Sequence, residues 1–188
     1  MHFPVIETER LLMRTYAEAD LATLYLMVSD PEIRRFFPEG PDIKREDVLK
    51  SLPKRTAFWR ENGFGQFGVF EKGTGKMAGY CGLKYLDRTE EVEIYYGFFR
   101  DAWGKGYATE SATAVLRFGF RETALERIVG VTHTENYASQ KVLEKIGLKR
   151  EKTAFFYNMD VFYFSLEREN YAQSGAVYFL VFKESDDR

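Results

Sequence analysis

Strand-like and helix-like spacings of apolar residues alternate along this chain in an order that outlines an architecture. "RLLMRTY" spaces its apolar positions as a strand does, and Thr15 followed by Glu18 has the capping-box spacing for a helix over 18–28. Asp30 and Pro31 suit the N-cap and first position of a short helix reaching Phe37. The run 43–62 is helical in pattern but contains Pro53, which predicts a break or kink because proline lacks the N–H that a helix interior uses. Three strand patterns follow, "GQFGVFEK", "MAGYCGLKYL" and "EVEIYYGFF", joined by the short links "GTG" and "DRTEE" that connect antiparallel neighbours.

The period then changes. After "WGKGYATE", Ala108, Ala112, Val115, Leu116 and Gly119 recur at helical spacing, with small residues that let the helix lie close on a sheet. "RIVGVTH" reads as a buried strand, so strand, helix and strand imply a parallel pair with a right-handed connection. Asn136 caps a further helix through Ile146, Gly147 stops it, and "EKTAFFY" and "DVFYFSLE" continue as strands. "AVYFLVF" near the end reads either as an extra strand or as an interface strand, and "ESDDR" as a solvated tail. The fold class is therefore α+β, a mixed, mostly antiparallel sheet with one central parallel crossover. No linker or repeat divides the 188 residues, which are enough for one sizeable core and read as a single domain over 1–188.

Composition removes several functions. With 27 basic and 29 acidic residues the net charge is -2, which offers no polycationic field for nucleic acid. Cys81 is the one cysteine, forms no internal disulfide and suits a reducing cytoplasm. No apolar run reaches membrane-spanning length and "MHFPVIETER" lacks a secretory pattern, so a cytoplasmic protein with no membrane partner is expected. His2 and His133 have no companions at ligand spacing, and no metal is expected.

The chemistry centres on Gly104 and Gly106. A glycine turn entering a helix leaves main-chain N–H groups unpaired beside the positive end of the helix dipole, which attracts an anion such as a pyrophosphate. The spacing is not that of a Walker loop, because Lys105 is followed by Gly106. A dinucleotide fingerprint fits in part, but its third glycine position is Thr109 and the preceding strands read as hairpins. For an isolated Gly-x-Gly a tight turn with no ligand is the first reading, and only its context favours a bound anion.

Three segments, "TERLLMRTYAEADLATLYLMVSDPEIRRFF", "VEIYYGFFRDAWGKGYATESATAVLRFGF" and "NYASQKVLEKIGLKRE", together resemble the GNAT superfamily of acetyl-CoA-dependent N-acetyltransferases, in particular its Rim-type branch that acetylates ribosomal-protein N-termini. The resemblance spans about residues 6–170. It implies the GNAT (acyl-CoA N-acyltransferase) fold with helices on both faces of the sheet, and acetyl-CoA as co-substrate. The family's pyrophosphate motif falls on Trp103, Gly104, Lys105, Gly106, Tyr107 and Ala108, with Thr109 next; Trp103 departs from the polar residue usual at the first position. The strand ending at Gly97, Phe98 and Phe99 is implied to splay from its parallel neighbour and bind pantetheine, with an N–H near Phe98 polarising the thioester carbonyl; Gly97 suits either a bulge there or packing under an aromatic neighbour. Arg100 and Lys105 are candidate phosphate contacts, and Lys141, Lys145, Lys149 or Arg150 candidates for the 3'-phosphate.

Acetyl transfer needs a neutral amine, donors for the developing oxyanion and a proton for the thiolate. At pH 7 an α-amine costs about 1 kcal/mol to neutralise and a lysine about 4.6, which favours an α-amine acceptor and a weak base. Glu93 is the candidate base, sharing a strand face with Glu91 and Tyr95 opposite Val92, Ile94 and Tyr96. The tyrosine that many family members use as acid aligns with Leu143, whereas Ser139 matches a Rim-type serine near the coenzyme sulfur and Asn136 the family asparagine at the coenzyme. Tyr137 and Tyr157 remain unassigned alternatives. Phe36 and Phe37 of "RRFFPEG", with Tyr95, are candidates for the acceptor pocket. The acceptor implied is a small-molecule amine or a protein N-terminus, and a homodimer is left open. A catalytically silent acyl-CoA sensor is the alternative to an enzyme, motivated by Leu143.

Overall fold

Among the described residues, nine strands form one sheet in the order β7-β8-β6-β5-β4-β3-β2-β1-β9. The computed structural model describes residues 3–37, 43–171 and, by backbone alone, 179–183. The strands are β1 (Phe3–Glu7), β2 (Leu11–Arg14), β3 (Gln66–Glu71), β4 (Met77–Tyr85), β5 (Val92–Phe98), β6 (Arg127–His133), β7 (Lys149–Phe156), β8 (Met159–Glu167) and β9 (Phe179–Lys183). The helices are α1 (Leu21–Ser29), α2 (Pro31–Arg34), α3 (Arg45–Asn62), α4 (Tyr107–Glu122) and α5 (Tyr137–Lys145). Every ladder is antiparallel except β5 with β6, the pair joined through α4.

Helices cover both faces. On one, α4 sinks Ala112, Val115, Leu116 and Phe118 into a cluster with Phe67, Cys81, Leu83 and Ile94. It fits because Gly119 has no side chain: a Cβ there would stand 2.8 Å from the Ile128 Cδ1 and 2.9 Å from the Leu83 Cδ1. On the other face, Leu21, Leu24 and Met27 of α1 and Val48 of α3 pack on Phe70, Met77 and Tyr80. Burying each such side chain contributes about 1.5–3 kcal/mol.

The structure corrects several expectations. Strand β1 lies where no strand is read from the sequence, because Pro4 inside a five-residue run argues against one. It pairs with β2 on one side and β9 on the other, so the 176–182 pattern contributes an extra strand of this chain, its first three residues lying outside the described ones. Thr15 is not a cap: a 3-10 turn at Glu18–Asp20 leads into α1, with the Asp20 carboxylate accepting from the Ala17 N–H at 2.7 Å. Asp30 does cap α2, accepting from the Glu32 N–H at 2.9 Å, but the helix ends at Arg34. Helix α3 runs unbroken through Pro53. The carbonyl deprived of its donor belongs to Leu49, an exposed residue on the outer side of the helix, where the loss of one bond is tolerated. No bulge occurs at Gly97, since the β4–β5 register is regular from Gly79 opposite Phe98 to Tyr85 opposite Val92. Gly97 is instead a packing glycine, whose added Cβ would lie 2.9 Å from the Tyr80 ring. Among the described residues no helix is long and apolar enough to cross a membrane.

Candidate active site

Where β5 ends, the backbone turns twice through conformations that favour glycine. Phe99 N–H donates to the Ala78 carbonyl at 2.9 Å, a 3-10 turn covers Arg100–Ala102, and Gly104 and Gly106 adopt φ of 74° and 81° before α4 begins. Within the described residues nothing accepts from the N–H groups of Gly104, Lys105, Gly106, Tyr107, Ala108 or Thr109; the first helical bond is from Glu110 N–H to the Gly106 carbonyl at 3.0 Å. A row of free donors thus stands at the positive end of a 16-residue helix, a fit for a diphosphate.

The side chains around this row hold it in place. Trp103 Nε1 donates to the Phe98 carbonyl at 2.8 Å, fastening the loop to the strand it leaves. Arg10, in the β1–β2 turn, donates from Nη1 to the Lys105 carbonyl at 2.9 Å and lays its guanidinium over the Tyr107 ring. Lys105 pairs with Glu71 and Arg100 with Asp30, at 3.4 and 3.5 Å, so both cations already have carboxylate partners.

Beyond the loop the sheet opens. The parallel ladder between β5 and β6 closes at Glu93 opposite Val129 and goes no further. Because Phe99 bonds to Ala78, the alternation of an antiparallel ladder directs the main-chain groups of Tyr96 and Phe98 away from β4 and into the gap. A cavity of about 410 Å³ occupies this region, lined from one strand face by Glu93 and Tyr95 and from the other by Ile94 and Tyr96. It therefore passes through the opening between the strands. Phe36 and Phe37 form part of its wall, Phe36 stacking at 5.5 Å against His133. Residues 38–40 of the same loop lie outside the described ones.

Glu93 sits at the narrow end of the ladder and is 3% exposed. Its Oε1 accepts from the Tyr157 hydroxyl at 2.5 Å and pairs with Lys84 Nζ, across from it on β4, at 2.8 Å. Burial pushes its carboxyl above the ordinary value, against the opposing pull of Lys84 and the Tyr157 hydrogen bond. Tyr157 reaches it from a tight β7–β8 turn in which Tyr157 and Asn158 both have positive φ, 53° and 62°. Asp87 holds that strained residue by accepting its N–H at 2.9 Å. Nothing in the local sequence around Tyr157 signals this role, since its partners lie 64 and 70 positions away.

Ser139 meets an unforeseen partner, with its Oγ 2.9 Å from the Tyr96 hydroxyl, whose acidity burial suppresses. Asn136 accepts from the Ser139 N–H at 3.1 Å as the cap of α5, which seats the serine on the cavity wall. Leu143, one turn further, is buried and offers no proton. Tyr137 is exposed, as are Lys141, Lys145, Lys149 and Arg150, the last over the Phe162 ring. Among the described residues no group of three His, Cys, Asp or Glu side chains is placed to hold a metal.

Comparison with known proteins agrees with this geometry. Residues 10–149 match the family model described as an acetyltransferase (GNAT) domain. The Bacillus subtilis protein YkkB is 31% identical over 172 residues, covering 87% of this chain and 95% of the relative. A GNAT-family acetyltransferase structure from Bacillus anthracis superposes with a TM-score of 0.75 at 30% identity, covering 88% of this chain and 99% of the other. A ribosomal L7/L12 alpha-N-protein acetyltransferase, RimL, solved with coenzyme A shares the fold with a TM-score of 0.74 at 17% identity, covering 87% and 97%.

Proposed function

Because this chain belongs to the GNAT acetyltransferase family, we propose that it delivers the acetyl group of acetyl-CoA straight to a primary amine, with both substrates bound at once. The protein is an acetyl-CoA-dependent acetyltransferase. The acceptor we favour is a protein N-terminal α-amine, as in the Rim-type branch. The RimL neighbour, an alpha-N-protein acetyltransferase, supports that branch by fold alone. The observation that carries the reading is the cavity that runs through the β5–β6 opening from Glu93 to the Ser139–Tyr96 pair.

In this reading the N–H groups of Gly104 to Thr109 bind the diphosphate, and the Phe98 N–H with the Tyr96 main chain in the gap binds the pantetheine arm and aligns the thioester, the Phe98 carbonyl being held by Trp103. Bound acetyl-CoA supplies an acetyl group already activated as a thioester. Glu93 takes the proton of the entering amine. Burial brings its carboxyl closer to working pH than an exposed glutamate, which suits a base that need only deprotonate an α-amine. Tyr157 keeps its own proton and fixes the carboxylate by donating to it. Tyr96 and Ser139 face the leaving sulfur. A thiol with an ordinary pKa of about 8.5 is more acidic than a tyrosine raised above about 10, so the pair stabilises the thiolate by hydrogen bonding and keeps its proton. That role lessens the need for the acid missing at Leu143.

Incubation with isotopically labelled acetyl-CoA and a panel of peptides and small amines, read by mass spectrometry, tests the proposal. Label on the α-nitrogen of peptides is the expected product; label confined to lysine side chains, or to none of the panel, would refute it.

A further inference from the structure

The cavity that receives the amine in the reading above carries a positive charge for which the described residues provide no anion. Three ordinary charges line it: Arg55, Lys84 and Glu93. Lys84 and Glu93 neutralise each other at 2.8 Å, which leaves Arg55. Its Nε donates to the Ser51 Oγ at 3.2 Å and its Nη1 to the Gln66 amide oxygen, both neutral acceptors, and no ion pair among the described residues includes it. The guanidinium lies 5.8 Å from the Tyr16 ring, and Nη2 has no hydrogen-bond partner among the described residues. Tyr80 and Tyr95 share this wall, their rings 5.7 Å apart, and neither hydroxyl has a partner among the described residues. A guanidinium half withdrawn from water among aromatic rings costs free energy unless an anion meets it, and its planar fork matches a carboxylate.

We propose that the acceptor amine carries a carboxylate, received by Arg55 and the neighbouring Tyr80 and Tyr95 hydroxyls while the amine faces Glu93. This rests on the preceding assignment of the cavity to the acceptor, and it narrows that assignment. A polyamine would place a second cation against Arg55 and Lys84. A carboxylate replaces the missing counter-charge. Either an amino acid or the acidic side chain at the start of a peptide provides this chemistry.

The test uses 4-aminobutyrate, 4-aminobutyramide and 1,4-diaminobutane, which differ at the far end by anion, neutral amide and cation. Glu-Ala-amide and Gln-Ala-amide form the peptide arm. Calorimetry on the full chain saturated with coenzyme A measures binding without turnover, and initial rates with acetyl-CoA measure acetylation. In at least one arm the carboxylate member binds about tenfold or more tightly than its amide, the strength of a charge-assisted pair, and the arm that discriminates identifies the source. Arg55→Met removes the preference, and Arg55→Lys, which keeps charge without the fork, weakens it. Coenzyme binding and cooperative unfolding verify that both variants are folded, and the wild-type ratio stands without them. Equal binding of carboxylate and amide in both arms overturns the inference, as does a preference that survives in Arg55→Met or a preference for the diamine. Discriminating binding with no acetylation leaves this inference standing and removes the catalytic one; acetylation of all members alike does the reverse.

Discussion

Arg10 and Glu110, a hundred positions apart, lock the β1–β2 turn onto the first turn of α4: Arg10 Nε donates to the Glu110 Oε2 at 2.7 Å. Glu110 Oε1 accepts from the Thr8 hydroxyl at 2.6 Å and the Arg10 N–H at 3.0 Å. Burial alone would raise this carboxyl, but those hydrogen bonds hold it below the usual carboxylate range. A depressed carboxyl contributes stability above its unfolded pKa of about 4.3, and the contribution is lost as pH falls through the lower folded value. Glu110→Gln is therefore expected to cost about 1 kcal/mol at neutral pH, a fall in Tm of roughly 2–4 °C. The difference closes in acid, where the wild-type group is also neutral. Thermal unfolding of both proteins from pH 7 down to pH 3, at about one-unit steps, checks both the size and the sign.

The left-handed turns at Gly104 and Gly106 give a second prediction. Gly104 has open space around it and Gly106 meets only Arg10 at 3.5 Å, so alanine is opposed by backbone conformation and not by crowding. Strain of about 1–2 kcal/mol, relieved by shifting the loop, should weaken acetyl-CoA binding roughly tenfold in either variant. KM for acetyl-CoA rises while kcat changes little.

Glu93 must be ionised to accept a proton, and its pKa lies above the ordinary value. The rate kcat/KM for the amine should fall as pH drops through that raised value, ahead of any loss an exposed glutamate would cause. Glu93→Gln should lose about a hundredfold or more in rate and lose that limb of the profile, with coenzyme binding intact. A pH–rate profile of both proteins checks this.

Tyr96 and Ser139 act as a unit. Tyr96→Phe and Ser139→Ala should each lower kcat by about two- to tenfold, the worth of one hydrogen bond. The double variant should lose less than the product of the two, because each single change already disables the pair.

Much of this site was legible in the sequence, and the failures share a cause. The strand–glycine–helix passage is local, so the spacing of Gly104, Gly106 and Tyr107 located the free N–H row. Strand alternation likewise put Glu93 and Tyr95 on one face, and the Asn136 cap seated Ser139. Arg10, Tyr96 and Arg55 were missed as site residues, and Tyr157 was named without a role, because what each does depends on residues outside its own segment: Arg10 on Glu110, Tyr96 on Ser139, Tyr157 on Glu93, and Arg55 on the cavity wall that Gln66, Tyr80 and Tyr95 share with it. Gly97, for which a bulge and a packing role were both open, resolves to the packing role. Its missing side chain makes room for the Tyr80 ring on the neighbouring strand, a constraint that no window around residue 97 contains.

The central claim is that the main-chain N–H groups from Gly104 to Thr109 grip the coenzyme's diphosphate. Amide hydrogen exchange resolved at single residues, with and without coenzyme A, tests it most directly. These six amides should exchange fast in the free protein and become protected on coenzyme binding, whereas pantetheine, which lacks the diphosphate, leaves them fast. Exchange at residues 104–109 that is slow before coenzyme is added, or unchanged once it has saturated the protein, would contradict the account.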